Sequence, residues 1–142
     1  MSADARRSGS ARHKSRQHAL EILFEADLRD ASLRSTLEER TEAAEPPVRE
    51  LTATLVRGVA DNLREVDARV AGALSPGWTL ARMPRVDRVI ARLATYELGW
   101  LDTDQAVVIS EALELAKELS TDESPAFLNA VLGKVAEAGP AV

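Results

Sequence analysis

The chain has no cysteine, which excludes disulfide bridges, thiolate zinc sites and thiol chemistry and fits a reducing compartment such as the cytoplasm. Aromatic residues make up 4% of it, two Trp, two Phe and one Tyr, so the core of a 142-residue chain has to be built from aliphatic side chains. Histidine is as scarce. His13 and His18 stand five apart, which points them to different sides of a helix and not to the shared face that i, i+4 metal ligands need. No apolar run approaches the ~20 residues that span a bilayer, and the start lacks the apolar core of a secretory signal. There is no glycine loop of the P-loop or dinucleotide type. Carboxylates are plentiful, but nearly all fall on predicted solvent faces. With no thiol, metal set or phosphate loop, the sequence reads as a binding protein without a cofactor and not as an enzyme.

Sustained alternation of polar and apolar residues is also missing, while apolar residues recur at helical spacing almost everywhere; the fold class is all-α. The pattern predicts a largely buried first helix over residues 15–29, carrying Ala19, Leu20, Ile22, Leu23, Phe24 and Ala26. A short helix over 33–40 follows inside an acidic stretch that ends at the Pro46-Pro47 start signal. The series Leu51, Leu55, Val59, Leu63, Val66, Val70, Leu74 is too long for one ordinary globular helix. Gly58, and the capping-box pair Asn62 and Glu65, put a break near Asp61. After the turn Ser75-Pro76-Gly77, Trp78 and Leu80 are expected to pin the chain to the core. Helices are predicted over 84–100 and over 106–119, the latter with Val108, Ala112, Leu115, Ala116 and Leu119 inside. Ser124-Pro125 caps and starts the last helix, whose stripe is Phe127, Leu128, Val131, Leu132 and Val135. In outline, residues 1–14 form a flexible basic arm, 15–138 one helical domain, and 139–142 a frayed tail.

Charge is distributed unevenly. Arg6, Arg7, Arg12, Lys14 and Arg16 against Asp4 make residues 1–18 +4, in a chain of net charge −5. An Arg- and Ser-rich start resembles an organellar transit peptide, but here it leads straight into good core residues, as one working unit. On the helical wheel of residues 84–100, Arg85, Arg88 and Arg92 cluster opposite Val86, Ile90 and Leu93 and form a second basic ridge. Arginine supplies 15 of the 18 positive charges, and its planar fork suits phosphates and stacks on bases. An acidic body repels duplex DNA, so arm and ridge together point to a short single-stranded RNA. Glu97 falls in the middle of the apolar face of its helix, where a hydrogen-bonded structural carboxylate is the better reading than a catalytic one.

Three stretches carry a resemblance that covers essentially the whole chain: ARHKSRQHALEILFEADL at 11–28, WTLARMPRVDRVIARLATYEL at 78–98 and VVISEALELAKELSTDESPAFLNAVL at 107–132. They resemble the transcription antitermination factor NusB family. The resemblance implies two small three-helix bundles packed across one another. It also implies binding of boxA, a short single-stranded element of nascent transcripts, especially those of ribosomal RNA operons. The family's partner is the ribosomal small-subunit protein NusE, within an antitermination complex on RNA polymerase. Carried over by position, Arg12, His13, Lys14 and Arg16 are expected to grip phosphates, with Arg88 and Arg92 of the ridge joining them. Phe24, Asp87, Phe127 and Asn129 match positions at or near the bases. Phe24 stands where the family commonly has tyrosine, Ala130 where it has glycine and Ser110 where it has asparagine. A monomer and a homodimer that covers the RNA face both fit the pattern. The alternatives are a stand-alone relative of the NusB-like domain fused to ribosomal RNA methyltransferases, and a helical protein-binding adaptor without RNA affinity, its basic arm being ordinary disorder.

Overall fold

The computed structural model describes residues 3–43 and 47–142, with side chains from residue 11 onward. Pro46, half of the expected start signal, and the side chains of Arg6 and Arg7 lie outside the described residues. Seven α-helices and no strand occur among the described residues: α1 (Ala3–Leu28), α2 (Leu33–Ala43), α3 (Glu50–Asp61), α4 (Leu63–Ala73), α5 (Arg85–Trp100), α6 (Gln105–Leu119) and α7 (Ser124–Glu137). A single 3-10 turn, Leu80–Arg82, precedes α5. They fall into two compact units, Met1–Ala60 with α1 to α3 and Asp61–Val142 with α4 to α7.

In the first unit α1 packs against α2, and the buried Thr52 hydroxyl of α3 donates to the Ser15 carbonyl of α1 at 2.9 Å. The α1 helix starts twelve residues before the predicted 15, so the basic segment continues the helix instead of leading in as a separate arm. Ala19, Leu20, Ile22, Leu23 and Ala26 are buried as the periodicity requires. Across α2, Arg40 Nε sits 3.1 Å from Glu25 of α1.

The second unit is built around α5, which packs against α4, α6 and α7. Ten of its sixteen residues are buried, so it is enclosed on most sides and has no broad solvent face. The break between α3 and α4 falls at Asn62, as expected, with α3 running straight through Gly58; Asn62 makes no side-chain cap hydrogen bond, so the capping box is not formed. By contrast Asp104 caps α6, accepting from the Ala106 N–H at 2.8 Å. Leu119 is 44% exposed and does not belong to the core stripe of α6. The tail is tied down. Ala141 N–H donates to the Gly99 carbonyl (2.8 Å) and Arg69 Nη1 to the Gly139 carbonyl (2.8 Å), while the Arg69 guanidinium lies 5.4 Å from the Trp100 ring centroid. The expected fraying of 139–142 overlooked these partners for its backbone.

Candidate nucleic-acid interface

On α1, Arg12 and Lys14 are exposed and His13 is half-buried, which leaves the first two free to meet solvent or a polyanion. Arg16 is different: at 3% exposure it is part of the packed face. It lies one turn beyond Arg12, where the helix is covered, and a guanidinium so enclosed has to be satisfied inside the protein. Phe24 is half-buried on the same helix.

Two of the three arginines of the ridge expected on α5 make contacts within the second unit. Arg92 makes a two-pronged bond to Asp67 of α4, Nε to Oδ1 at 2.8 Å and Nη2 to Oδ2 at 3.1 Å, the planar match that favours Arg over Lys. Arg88 Nη1 donates to the Leu80 carbonyl at 3.1 Å and so holds the 3-10 turn. The helical wheel placed both opposite the apolar stripe correctly; it did not show that α4 and the 3-10 turn cover that side.

Asp87 is buried at 3% exposure, with both carboxylate oxygens engaged. Ser120 Oγ donates to its Oδ1 at 2.6 Å and Ser124 Oγ to its Oδ2 at 3.0 Å. Ser124 Oγ also lies 2.9 Å from Ser120 Oγ and 2.8 Å from Thr121 Oγ1, and accepts from the Thr121 N–H at 3.2 Å. One carboxylate thus joins the first turn of α5, the C-cap of α6 and the first residue of α7, near two helix N-termini whose dipoles favour its negative charge. Ser124 is therefore not the helix cap predicted from Ser124-Pro125; it is the first helical residue, and its hydroxyl is turned to Asp87.

Beside this network is a small cavity of about 180 Å³ lined by Trp78, Pro84, Asp87, Thr121, Glu123, Ser124 and Phe127. Two of the expected base-side positions, Asp87 and Phe127, border it together. Trp78 does not pin the chain to the core: its ring is 45% exposed, packs tilted against Phe127 (centroids 5.7 Å, planes at 48°) and has the Arg82 guanidinium 5.6 Å from its centroid. Met83, at 3% exposure, takes the buried place instead. Sequence reasoning missed Trp78 and Arg82 as surface features; the Pro76-Gly77 turn just before them was the available signal. Asn129 is exposed on α7, away from the buried stripe.

The NusB family model matches residues 13–137, nearly the whole chain. The chain belongs to the NusB family. The transcription antitermination protein NusB of Cutibacterium acnes is 51% identical over 93% of this chain, which spans 51% of that longer relative. The protein of the same name from Streptomyces avermitilis is 46% identical, covering 94% of this chain and 96% of the relative. Among solved structures, T. maritima NusB superimposes with a TM-score of 0.80 at 33% identity, over 90% of this chain and 92% of that one. A chain from the complex of antitermination factors NusB and NusE with dsRNA shares the fold, with a TM-score of 0.77 at 23% identity over 89% and 96% of the two chains. Of the departures from the NusB pattern, Ala130 and Ser110 are both exposed, so neither substitution disturbs packing within this chain.

Proposed function

We propose that this chain is a transcription antitermination factor that binds single-stranded boxA RNA of nascent transcripts, foremost those of ribosomal RNA operons. It does so with the ribosomal small-subunit protein NusE, in an antitermination complex on RNA polymerase in the cytoplasm. It acts by binding and not by catalysis. The observation that carries this reading is the exposed positive charge of Arg12 and Lys14, within a +4 opening segment on a −5 chain of the NusB family. Relatives 46 to 51% identical over more than nine-tenths of the chain bear the antitermination name, which supports it.

The roles divide by unit. In the first, Arg12, Lys14 and His13 contact phosphates and Phe24 offers a ring face to a base. In the second, Phe127 and Asn129 contact bases. Arg16 is buried and Arg88 and Arg92 make contacts within the second unit, so in this reading the phosphate contacts fall to the exposed cations of α1.

A salt titration of labelled boxA-like RNA, with and without NusE, tests this. Three to five neutralised phosphates give a log affinity against log salt slope of about −2 to −3.5, at about −0.7 per contact on a single strand. Arg12→Ala or Lys14→Ala flattens the slope by about 0.7, whereas Arg16→Ala leaves it unchanged. Undiminished affinity and an unchanged slope after deletion of residues 1–14 would overturn the reading in favour of a protein-binding adaptor.

A further inference from the structure

The chain holds an exposed tryptophan in place with unusual care. Gly77 has φ +87°, the left-handed backbone required at the third position of a type II turn after Pro76, and the Trp78 N–H closes that turn on the Ser75 carbonyl at 3.0 Å. Arg82 Nη1 donates to the Gly77 carbonyl at 2.6 Å while its guanidinium rests 5.6 Å from the Trp78 ring centroid. Phe127 abuts the ring from α7. A side chain left 45% exposed gains little for the fold from being fixed on these several sides, but it gains as a binding surface, because a ring already in position loses little freedom when a ligand arrives.

The adjoining cavity limits what that ligand is. At about 180 Å³ it is well below the ~300 Å³ where pockets for drug-sized molecules begin, so it admits one flat ring system. Trp78, Phe127 and Pro84 give it apolar walls, and the exposed Glu123 and Thr121 stand at its edge as acceptors, while Asp87 and Ser124 are buried behind it and already bonded to each other. The exposed Glu123 carboxylate disfavours a phosphate there but accepts N–H groups, of which the edge of a nucleobase has one or more. An aliphatic side chain of a protein would leave those acceptors unused. We propose that Trp78, backed by Arg82, is a base-stacking platform and that the cavity beside it takes a single nucleobase of single-stranded RNA, its N–H edge turned to the acidic rim. This rests on the RNA-binding reading above and adds to it a residue that the resemblance did not assign.

Intrinsic fluorescence with two full-length proteins tests the proposal, since the chain has two tryptophans, Trp78 and Trp100. BoxA-like RNA should quench the emission of the wild type saturably and leave that of Trp78→Leu, which keeps Trp100, unchanged. The same variant should bind RNA about five- to a hundredfold more weakly, the usual loss for one base–aromatic stack, with the salt slope and melting temperature of the wild type. Trp78→Phe should recover most of the affinity. If wild-type protein binds RNA but Trp78→Leu binds equally well, or RNA leaves Trp78 emission untouched, the platform is refuted and the RNA reading stands. Quenching by NusE alone and not by RNA would also refute it and give the slot to a protein partner. Failure of the wild type to bind RNA at all would overturn both readings.

Discussion

Replacing Asp87 tests whether one carboxylate joins three helix ends. Asp87→Ala removes the acceptor for two hydroxyl donors, at 2.6 Å from Ser120 and 3.0 Å from Ser124, inside a site where the carboxylate is 3% exposed. Hydrogen bonds to a charged group contribute roughly 1.5–3 kcal/mol each. Part of that returns on mutation, because Ser120, Ser124 and Thr121 already lie 2.9 and 2.8 Å apart and can rotate their hydroxyls toward one another. The net cost of Asp87→Ala is therefore about 2–4 kcal/mol, and that of Ser124→Ala about 1–2 kcal/mol. Since Ser124 has nothing left to donate to once Asp87 is gone except its neighbouring hydroxyls, the double variant should fall short of the sum by about 1–2 kcal/mol. Asp87→Asn keeps a carbonyl acceptor and should cost about 1 kcal/mol. Urea denaturation of the four proteins, compared at constant m-value, gives the cycle. Additivity within about 0.3–0.5 kcal/mol would refute the network, showing Asp87 and Ser124 to be energetically independent despite their proximity.

Other outcomes follow from single contacts. Tyr96 is the chain's one tyrosine, and burial first, then the negative charge of Asp61, pushes its hydroxyl above the ordinary 10.0, so an absorbance titration of phenolate should show a midpoint higher than that. A folded-state value above the unfolded one means stability that is whole below about pH 10 and lost as pH rises through the elevated midpoint, an alkaline arm that Tyr96→Phe should flatten. Arg92→Ala breaks the fork to Asp67, whose partners are 16% and 26% exposed, and should cost about 1–2 kcal/mol in thermal or urea unfolding while leaving the RNA salt slope intact. A flattened slope would restore Arg92 to the phosphate contacts. The Thr95 hydroxyl is wholly buried with no hydrogen-bond partner among the described residues, so the near-isosteric Thr95→Val should raise stability by about 0.5–1.5 kcal/mol; a loss instead would reveal a partner for that hydroxyl.

The helices were readable because burial of a helix repeats every 3.6 residues and leaves its mark on the sequence regardless of what the helix packs against. That is why the buried residues of α1, α6 and α7 match the stripes almost one for one, and why the 48–74 segment divides at Asn62 even though its capping box is not used. The family pattern singles out Asp87 and Phe127, and both border the cavity; it is silent on the hydroxyls of Ser120 and Ser124, because a serine at a helix end signals a cap and nothing local says that its oxygen will turn to a carboxylate 37 residues away. Leu119 failed for a simpler reason: it sits at the last residue of α6, where the stripe runs past the neighbouring helix and has nothing left to cover it.

The two arginine clusters show what periodicity leaves open. On α5 the arginines stand off the apolar stripe, whereas on α1 Arg12 and Arg16 continue its line and Lys14 stands opposite; by charge alone each set is a basic face. The helices differ in how many neighbours they have. A helix at the centre of a bundle is approached by three others, so the sector opposite its apolar stripe also meets protein; any cation there has to find a carboxylate or a carbonyl within reach or bear the cost of desolvation. Arg92 finds Asp67 and Arg88 finds the Leu80 carbonyl, so two of the three arginines of α5 are held from within. Arg16 shows the same rule at work on α1: it is enclosed, while Arg12, one turn before it, and Lys14 stay in solvent. The charge available to a polyanion is thus smaller than the sequence suggests and concentrated in the opening segment. The salt slope follows from that residue set: it should respond to Arg12 and Lys14, and be indifferent to Arg16, Arg88 and Arg92.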